Sequence, residues 1–156
     1  MVRLVTMTVE ESEEYLEQET EIYAEENVKA GYWAAAEALE ESRKAHQQLL
    51  PTGVATTDHH FLKILDEGGT AIGAAWLKAN RDTALPSGFV YDLFINEAHR
   101  GKGHGKQAML ALEKKAKELG LRTLALHVFA HNAAARALYQ NLGYEVKSLN
   151  MTKLLT

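Results

Sequence analysis

Hydrophobic residues recur along the chain at two different spacings, and these spacings divide it into helices and strands. Apolar residues three to four positions apart predict four helices, at residues 9–30, 33–50, 105–119 and 132–141. Short alternating or continuous apolar runs predict strands at residues 2–7, 59–65, 70–78, 89–95 and 121–129, with a closing pair at 144–146 and 150–154. This order predicts a mixed, twisted α/β (α+β) sheet of six to seven strands with four helices, rather than an alternating doubly wound sheet.

The first predicted helix is strongly acidic. Thr8 and Glu11 form a capping-box signature before it, and Gly31 interrupts its pattern. Its inward stripe is predicted to comprise Val9, Tyr15, Leu16, Ile22 and Tyr23. The opposite face is nearly all glutamate, which is interpreted as a solvated surface. The second helix is predicted to turn inward the residues Trp33, Ala36, Leu39 and Leu49.

The most distinctive stretch is a seven-residue loop between a predicted strand and a predicted helix. Its sequence is Arg100-Gly101-Lys102-Gly103-His104-Gly105-Lys106. Backbone N–H groups at a helix N-terminus lack partners and lie at the positive end of the helix dipole. Glycine lets such a backbone approach a ligand closely, and the cations add charge. The loop is therefore predicted to bind an anion, best a phosphate or a pyrophosphate.

Two other kinds of phosphate loop fit this stretch poorly. A P-loop requires a serine or threonine after its final Gly-Lys, whereas Gln107 follows Lys106 here and supplies no hydroxyl for magnesium. A dinucleotide fingerprint requires Gly-x-Gly-x-x-Gly on the first strand–helix turn, whereas more than half of the chain precedes these evenly spaced glycines. A nucleotide-binding module is therefore a weaker interpretation, which predicts binding of ATP with magnesium.

Composition narrows the class of protein further. The 156 residues are 46% hydrophobic and 24% charged, which predicts a single globular domain over residues 1–156. The chain has no cysteine, which excludes disulfides, thiolate metal sites and a cysteine nucleophile and fits a cytoplasmic location. No segment approaches the ~20 apolar residues of a membrane span. The net charge of −4 disfavours a nucleic-acid partner, although the cations cluster from Arg100 onward.

The ordered motifs between Phe89 and Tyr144 resemble the GNAT superfamily of N-acetyltransferases. The pattern Arg100-x-x-Gly103-x-Gly105 is similar to the loop with which that family binds the pyrophosphate of acetyl-CoA. A long helix, a strand, Asn132 and the run at 137–144 follow in the family's order. The runs at 23–31 and 127–132 resemble the YycN-like branch of small bacterial members. The resemblance implies the GNAT fold, acetyl-CoA as cosubstrate, no metal, and acetyl transfer to a primary amine by direct attack.

The resemblance also implies which residues contact acetyl-CoA. In the family the fourth and fifth strands splay apart, and the pantetheine arm pairs with the exposed edge of the fourth strand as an extra strand would. Asn132 is predicted to cap the last helix, and the family's asparagine at this point also contacts the arm. The residues implied to bind acetyl-CoA are Leu93, Phe94, Ile95, Arg100, Gly101, Lys102, Gly103, His104, Gly105, Lys106, Asn132, Ala135, Leu138 and Tyr139.

Two catalytic roles follow from the resemblance. The hydroxyl of Tyr139 is implied to act as general acid for the leaving thiolate, since tyrosine ordinarily has a pKa of about 10 and keeps its proton at neutral pH. The general base is left open between Asp92, the only carboxylate on the predicted fourth strand, and His127 on the next strand. Some family members carry a glutamate where this chain has Phe89, so that base is absent here.

The acceptor is not identified by any motif. The acidic first half of the chain favours a cationic amine, such as a polyamine, an aminoglycoside or a basic peptide. Two other functions are compatible with the same loop, namely an acyltransferase that uses a different acyl-CoA and a non-catalytic acyl-CoA-binding sensor. Family members are often monomers or homodimers, and the resemblance leaves both states open. His59 and His60 are adjacent in a predicted strand, so they are expected to point to opposite faces rather than to share a metal.

Overall fold

The computed structural model describes residues 1–156 and places five strands in one sheet. They are β1 (Arg3–Thr6), β2 (His59–Leu65), β3 (Ala71–Asn80), β4 (Ser87–Ile95) and β5 (Thr123–Leu126). The strands lie in chain order across the sheet, antiparallel from β1 to β4, and β5 runs parallel to β4. The four helices are α1 (Val9–Lys29), α2 (Ala38–Leu49), α3 (His104–Glu118) and α4 (Ala133–Asn141). The mixed α/β sheet with four helices is confirmed.

The predicted number of strands is wrong. A closing strand pair is predicted at residues 144–146 and 150–154, but these residues contain no strand, and the sheet has five strands rather than six to seven. The fifth strand is also shorter than its apolar run, because only Thr123–Leu126 pairs with β4. A two-stranded hairpin is marginal in water unless it packs against more structure, and the residues after Gly143 pair with no strand edge in this structure.

Helix α1 begins at the predicted capping box. The side-chain oxygen of Thr8 accepts from the backbone N–H of Glu11 at 3.1 Å, and the Glu11 carboxylate accepts from the N–H of Thr8 at 2.9 Å. These bonds satisfy two N–H groups that the start of the helix would otherwise leave unpaired. The Glu11 carboxylate also lies 2.8 Å from Lys63 on β2, which ties the start of the helix to the sheet.

The inward face of α1 differs from the prediction. Val9 is 67% exposed and Ile22 is 45% exposed. The buried positions are Ser12, Tyr15, Glu19, Ala24 and Asn27. Ser12 and Asn27 donate from their side chains to backbone carbonyls one turn earlier, so their polar groups are satisfied when buried. The prediction is therefore confirmed for Tyr15, while Leu16 and Tyr23 are half-buried and Val9 and Ile22 face solvent.

Helix α2 starts five residues later than predicted. Turns occupy residues 30–32 and 35–37, and Gly31 has a left-handed φ of 82°. The buried positions are Ala38, Ser42 and His46 rather than the larger apolar residues. Ser42 donates to the carbonyl of Thr20 at 2.6 Å, and the hydroxyl of Thr20 lies 2.8 Å from Nδ1 of His46. Small and polar side chains therefore set the contact between α1 and α2.

The core consists of two layers on opposite faces of the sheet. On one face, Leu62, Leu77 and Val90 pack against Met109 and Leu112 of α3. On the other face, residues that alternate with these along the strands pack against α1; this group comprises Tyr15, Leu50, Phe61, Ala74 and Trp76. The two-residue period of a strand produces this division. No helix in this structure has the length and apolar character that a membrane crossing needs.

Candidate active site

The loop before α3 presents a run of unpaired backbone donors. The amides of residues 101–106 donate no hydrogen bond within the chain, and the first loop-to-helix bond runs from the N–H of Gln107 to the carbonyl of Gly103. Gly101 and Gly103 have left-handed φ values of 78° and 80°, which glycine adopts without steric cost. The N–H groups at the start of α3 also lie at the positive end of its dipole. This geometry can hold a phosphate or pyrophosphate.

The cationic residues of the loop have different roles. Lys102 and Lys106 are exposed, so their ammonium groups are free to meet an anion. Arg100 instead uses its Nε to donate to the carbonyl of Ile95 at 2.8 Å, which anchors the loop to the end of β4. His104 is half-buried, and its Nδ1 has no hydrogen-bond partner. The loop therefore presents two exposed ammonium groups and one imidazole nitrogen that has no hydrogen-bond partner.

The strands β4 and β5 diverge beside this loop. Their parallel pairing covers only residues 87–90 of β4, so residues 91–95 have no strand partner on that side. A bulge at Tyr91 accompanies the divergence, since Leu77 of β3 pairs with Val90 while Trp76 pairs with Asp92. A bulge bends and twists a strand locally. The two strands therefore leave a gap, here called the crevice, with a free backbone edge at Leu93–Ile95.

Gly73 holds the other side of β4 in place. It pairs with Ile95, and a side chain at this position would lie 2.1 Å from the carbonyl oxygen of Phe94. No L-residue with a side chain fits that distance without moving the backbone. From the sequence, a glycine inside this strand predicts a weakened strand or a bulge, but not this close approach to the next strand. It lets β3 and β4 approach closely at the segment whose opposite edge is free.

Helix α4 forms the far wall of the crevice. The Asn132 side chain accepts from the N–H of Ala135 at 3.3 Å, which confirms the predicted N-cap. Leu138 lies close to the loop before α3, since a Cβ atom added to Gly105 would be 3.4 Å from the Leu138 side chain. Leu138 of α4 therefore lies beside Gly105 of the loop before α3.

Tyr139 lies half-buried on α4, and its hydroxyl makes no hydrogen bond within the chain. Burial raises its pKa above the ordinary tyrosine value, and the negative charge of Asp92 raises it further. A hydroxyl with a raised pKa stays protonated at neutral pH and can donate a proton to a strong base such as a thiolate. Tyr144 packs edge-on against Tyr139 with ring centres 5.9 Å apart, and its own hydroxyl donates to Glu113.

A buried acidic pair lies between α1 and β4. The Tyr15 hydroxyl donates to Asp92 at 2.6 Å, and Glu19 is only 8% exposed and hydrogen-bonds to Asp92. Burial raises the pKa of Glu19 to about 9, and the neighbouring charge of Asp92 contributes to the increase. Glu19 therefore keeps its proton at neutral pH and donates it to the Asp92 carboxylate, since two like charges cannot both ionise at this distance.

Glu19 was missed by the sequence analysis, which interpreted the glutamates of α1 as solvated. Its position contains a signal in retrospect, because it lies one helical turn after Tyr15 and one turn before Tyr23. Helical residues four positions apart share a face. A glutamate between two aromatic residues of one face is thus a candidate for burial, although hydrophobicity scales assign it to the surface.

The two histidines that follow β5 have different neighbours. His127 is exposed, packs edge-on against the ring of Phe129, and has no hydrogen bond to a carboxylate. His131 pairs with Glu26 near the end of α1, and Phe129 contacts Tyr23 of the same helix. The structure therefore separates the two base candidates, since Asp92 belongs to the buried acidic pair and His127 does not.

A separate open cavity of about 660 Å³ lies between α1 and α2. It is lined by Glu13, Glu17, Glu21, Arg43 and His46, among others. None of the residues implied to bind acetyl-CoA lines it.

The adjacent histidines on β2 have different neighbours, because His59 accepts a hydrogen bond from Trp76 while His60 lies near the charge of Lys115 on α3. They therefore face opposite sides of the sheet, as expected.

Comparisons with known proteins agree with this geometry. The family model described as the acetyltransferase (GNAT) family matches residues 10–144. The uncharacterized N-acetyltransferases YycN and YdgE of Bacillus subtilis are 39% and 38% identical, over 99% and 97% of both chains respectively. The crystal structure of YycN from Bacillus subtilis covers 100% of this chain and 99% of its own, with a TM-score of 0.96 and 38% identity. The resemblance stated from the sequence, including its YycN-like branch, is confirmed.

Proposed function

The chain belongs to the GNAT family of acetyltransferases, and we propose from that premise that it transfers the acetyl group of acetyl-CoA to a primary amine. The acceptor amine belongs to a small molecule or a peptide. The observation that carries the proposal is the run of six unpaired amides at residues 101–106, next to a free strand edge and an unbonded tyrosine hydroxyl.

The donor substrate would be held mainly by backbone groups. The pyrophosphate of acetyl-CoA would accept hydrogen bonds from the amides of residues 101–106, with Lys102 and Lys106 near its oxygens. The pantetheine arm carries amides of its own and would pair with the free edge of β4 at Leu93–Ile95. Ala135 and Leu138 of α4 would cover the arm from the other side. No metal takes part in this proposal.

The chemical step would be a direct attack by the amine. The nitrogen lone pair of the acceptor forms a bond to the thioester carbonyl carbon, and the carbon–sulfur bond then breaks. Tyr139 donates its hydroxyl proton to the departing sulfur, so that CoA leaves as a thiol. The nitrogen loses a proton as it becomes an amide, and a proton returned through solvent restores the Tyr139 hydroxyl. The raised pKa of Tyr139 supports this role because it keeps the proton available until the thiolate forms.

The acceptor amine must lose a proton, since a lysine-like amine has a pKa of about 10.4 and is charged at neutral pH. We assign this proton to Asp92, directly or through a water, in preference to His127. Asp92 precedes the free edge of β4, and its charge is close enough to raise the pKa of Tyr139. The neighbouring Glu19 also favours a cationic acceptor, because an ammonium group would stabilise ionised carboxylates there.

Two measurements test the proposal. Calorimetric titration with acetyl-CoA should show binding in the micromolar range, whereas ATP with magnesium should not bind. A panel of polyamines, aminoglycosides and basic peptides should then be screened for release of free CoA thiol. Absence of acetyl-CoA binding would overturn the proposal, and binding without turnover on any amine would favour the sensor interpretation instead.

A further inference from the structure

The open cavity between α1 and α2 has the size and the apolar surface of a small-molecule site. Its volume of about 660 Å³ falls within the range of about 300–1,000 Å³ that is usual for ligand pockets. Among the residues that line it, Leu50 is buried, while Leu16 and Val54 are half-buried. Leu39 also lines it and is 38% exposed. The cavity therefore offers apolar surface that a ligand with an apolar body would cover.

One side of the cavity is acidic. Glu13, Glu17 and Glu21 line it from α1, and their spacing of four residues places them in one row, about 6 Å apart along the helix. All three side chains are exposed, and none of them forms an ion pair within the chain. Arg43, which lines the opposite side, lies 4.0 Å from Glu40 of its own helix. The excess of carboxylates therefore favours a cationic ligand.

A buried histidine also lines the cavity. His46 is only 8% exposed, and its ring stacks on Tyr23 with ring centres 5.6 Å apart. Its Nδ1 lies 2.8 Å from the hydroxyl oxygen of Thr20, and the single proton of that hydroxyl is donated to the carbonyl of Leu16 at 2.7 Å. The Thr20 oxygen therefore accepts from Nδ1, so a neutral His46 carries its proton on Nδ1.

This tautomer leaves Nε2 of His46 as a free acceptor. The bond to Thr20 uses Nδ1, and no donor within the chain reaches Nε2. Burial lowers the pKa of His46 below its ordinary value of 6.5, so the ring is neutral at neutral pH. An acceptor on a buried side chain without a partner costs free energy. A ligand with an N–H group would recover that free energy.

We propose that this cavity binds a small amphipathic amine, whose apolar body packs on Leu16, Leu50 and Val54 and whose ammonium group donates to Nε2 of His46. The glutamates of α1 stabilise the positive charge. An ammonium group has several N–H donors, so one group can serve the imidazole and a carboxylate together. The site is separate from the proposed acceptor site, because neither Glu19 nor Asp92 lines the cavity.

Calorimetric titration of the full chain with n-octylamine tests the proposal, with n-butylamine and n-octanol as matched ligands. Butylamine keeps the charge but has four methylene groups fewer. Burial of each methylene contributes about 0.8 kcal/mol, or about fourfold in affinity, so butylamine should bind about 10²-fold more weakly. Octanol keeps the chain and lacks the charge, and it should bind about tenfold more weakly. No binding of octylamine, or equal binding of octylamine and either matched ligand, would overturn the proposal.

Two variants locate the binding site. His46→Asn keeps a side-chain N–H for Thr20 and removes the free acceptor, so octylamine affinity should fall by about tenfold or more. Leu39→Lys places a cation at the cavity and should weaken binding by a similar factor, and it keeps the test valid if the His46 variant fails to fold. Leu110→Lys is the control, since Leu110 on α3 is 47% exposed and does not line the cavity. This control should bind octylamine like the parent.

Octylamine is itself a primary amine, so Asp92→Asn separates the cavity from the proposed acceptor site. Binding that persists in Asp92→Asn and falls in the two cavity variants supports the proposal. Binding that is lost in Asp92→Asn and kept in both cavity variants means that the amine occupies only the acceptor site, and the proposal is wrong. Light scattering of the same samples reports a second copy as the occupant. A dimer that Leu39→Lys dissociates, with no octylamine bound to the parent, would also overturn it.

Discussion

The two halves of the proposed site are built in different ways. The half that would hold acetyl-CoA consists of a strand and the loop after it, within residues 87–106, and it presents mainly backbone amides. The half that would receive the acceptor consists of side chains from α1, β4 and α4. These side chains come from distant parts of the sequence, since Tyr15 and Asp92 are hydrogen-bonded to each other although they are 77 positions apart. The geometry of a site made of backbone amides depends on the spacing of the glycines and on where the next helix begins. The geometry of a site made of side chains depends on which helices and strands pack together.

This contrast predicts how each half fails. A substitution in the backbone half should abolish binding through charge or sterics, because no alternative amides are available. A substitution in the side-chain half should leave acetyl-CoA binding intact and change turnover, acceptor preference or pH dependence. The following variants test the division, and the first three have a matched control elsewhere in the chain.

The largest effect is expected from Gly103→Glu. The new carboxylate would lie in the anion site, and two like charges about 4 Å apart repel by about 4 kcal/mol at an effective dielectric constant of 20. Acetyl-CoA affinity should therefore fall by about 10³-fold in calorimetry. Gly120→Glu is the control, since Gly120 follows the other end of α3, has a similar φ of 83°, and has equally open space for a side chain. Equal losses in both variants would mean that backbone strain, rather than the site, is responsible.

The next effect is expected from Tyr139→Phe. Removing a general acid lowers the rate by about 10²-fold or more, while the acetyl-CoA dissociation constant should change less than about threefold because only the hydroxyl is lost. Steady-state kinetics and calorimetry measure the two quantities separately. Tyr144→Phe removes the hydroxyl of the ring that packs against Tyr139, and its kcat should stay near the parent value. An unchanged kcat in Tyr139→Phe would exclude Tyr139 as the acid.

Glu19→Gln should change how stability depends on pH. The pKa of Glu19 is about 9 in the folded protein, against an ordinary value of 4.5. Between these values the unfolded chain gives up the proton and the folded chain keeps it, so this group makes the parent less stable as pH rises. Glutamine has no such proton, and the variant should gain about 1–3 kcal/mol relative to the parent between pH 5 and pH 8, given about 1.4 kcal/mol per pKa unit.

Denaturant unfolding at several pH values measures this difference. Glu17→Gln, at an exposed position on the same helix, is the control and should follow the parent at every pH. A constant difference between Glu19→Gln and the parent across the range would mean that Glu19 is not held in its protonated form.

The smallest effect is expected from Lys102→Ala and Lys106→Ala. Both side chains are exposed, and solvent screening limits such ion pairs to about 1 kcal/mol or less. Acetyl-CoA affinity should fall by about threefold to fivefold in each variant, and the loss should shrink at high salt because exposed charges are screened. A loss as large as that of Gly103→Glu would mean that lysine charge, rather than the backbone amides, dominates the anion site.

Several features were predictable because their signals are local. The loop at residues 100–106 was recognised from glycine spacing and from the flanking strand and helix patterns, and the Thr8 capping box and the Asn132 cap have fixed spacings along the chain. The order of the helices and of the first five strands follows from hydrophobic period. Motif order over residues 89–144, about a third of the chain, then identified the family, because a set of ordered motifs is far more specific than any one of them.

Other features lay beyond any local pattern. The buried face of α1 could not be derived from hydrophobicity alone, since Glu19 is buried against Asp92, which comes from a distant position in the chain. Gly73 showed its role only when the carbonyl of Phe94 was found where a side chain would be. The strand count was wrong because the apolar pattern of residues 144–154 shows that this segment can form strands, but not which edge it can pair with.

The amino-acid order therefore sufficed for the fold class, the family and the loop that we propose to bind phosphate, each of which depends on neighbours within a few residues or on motif order. Packing alone set the crevice between β4 and β5, the protonation of the Glu19–Asp92 pair, and the open edge of β5. These three features arise from contacts between segments that are far apart in the chain. Their free energies depend on burial and on the distance between charges, and neither quantity exists until the chain has folded.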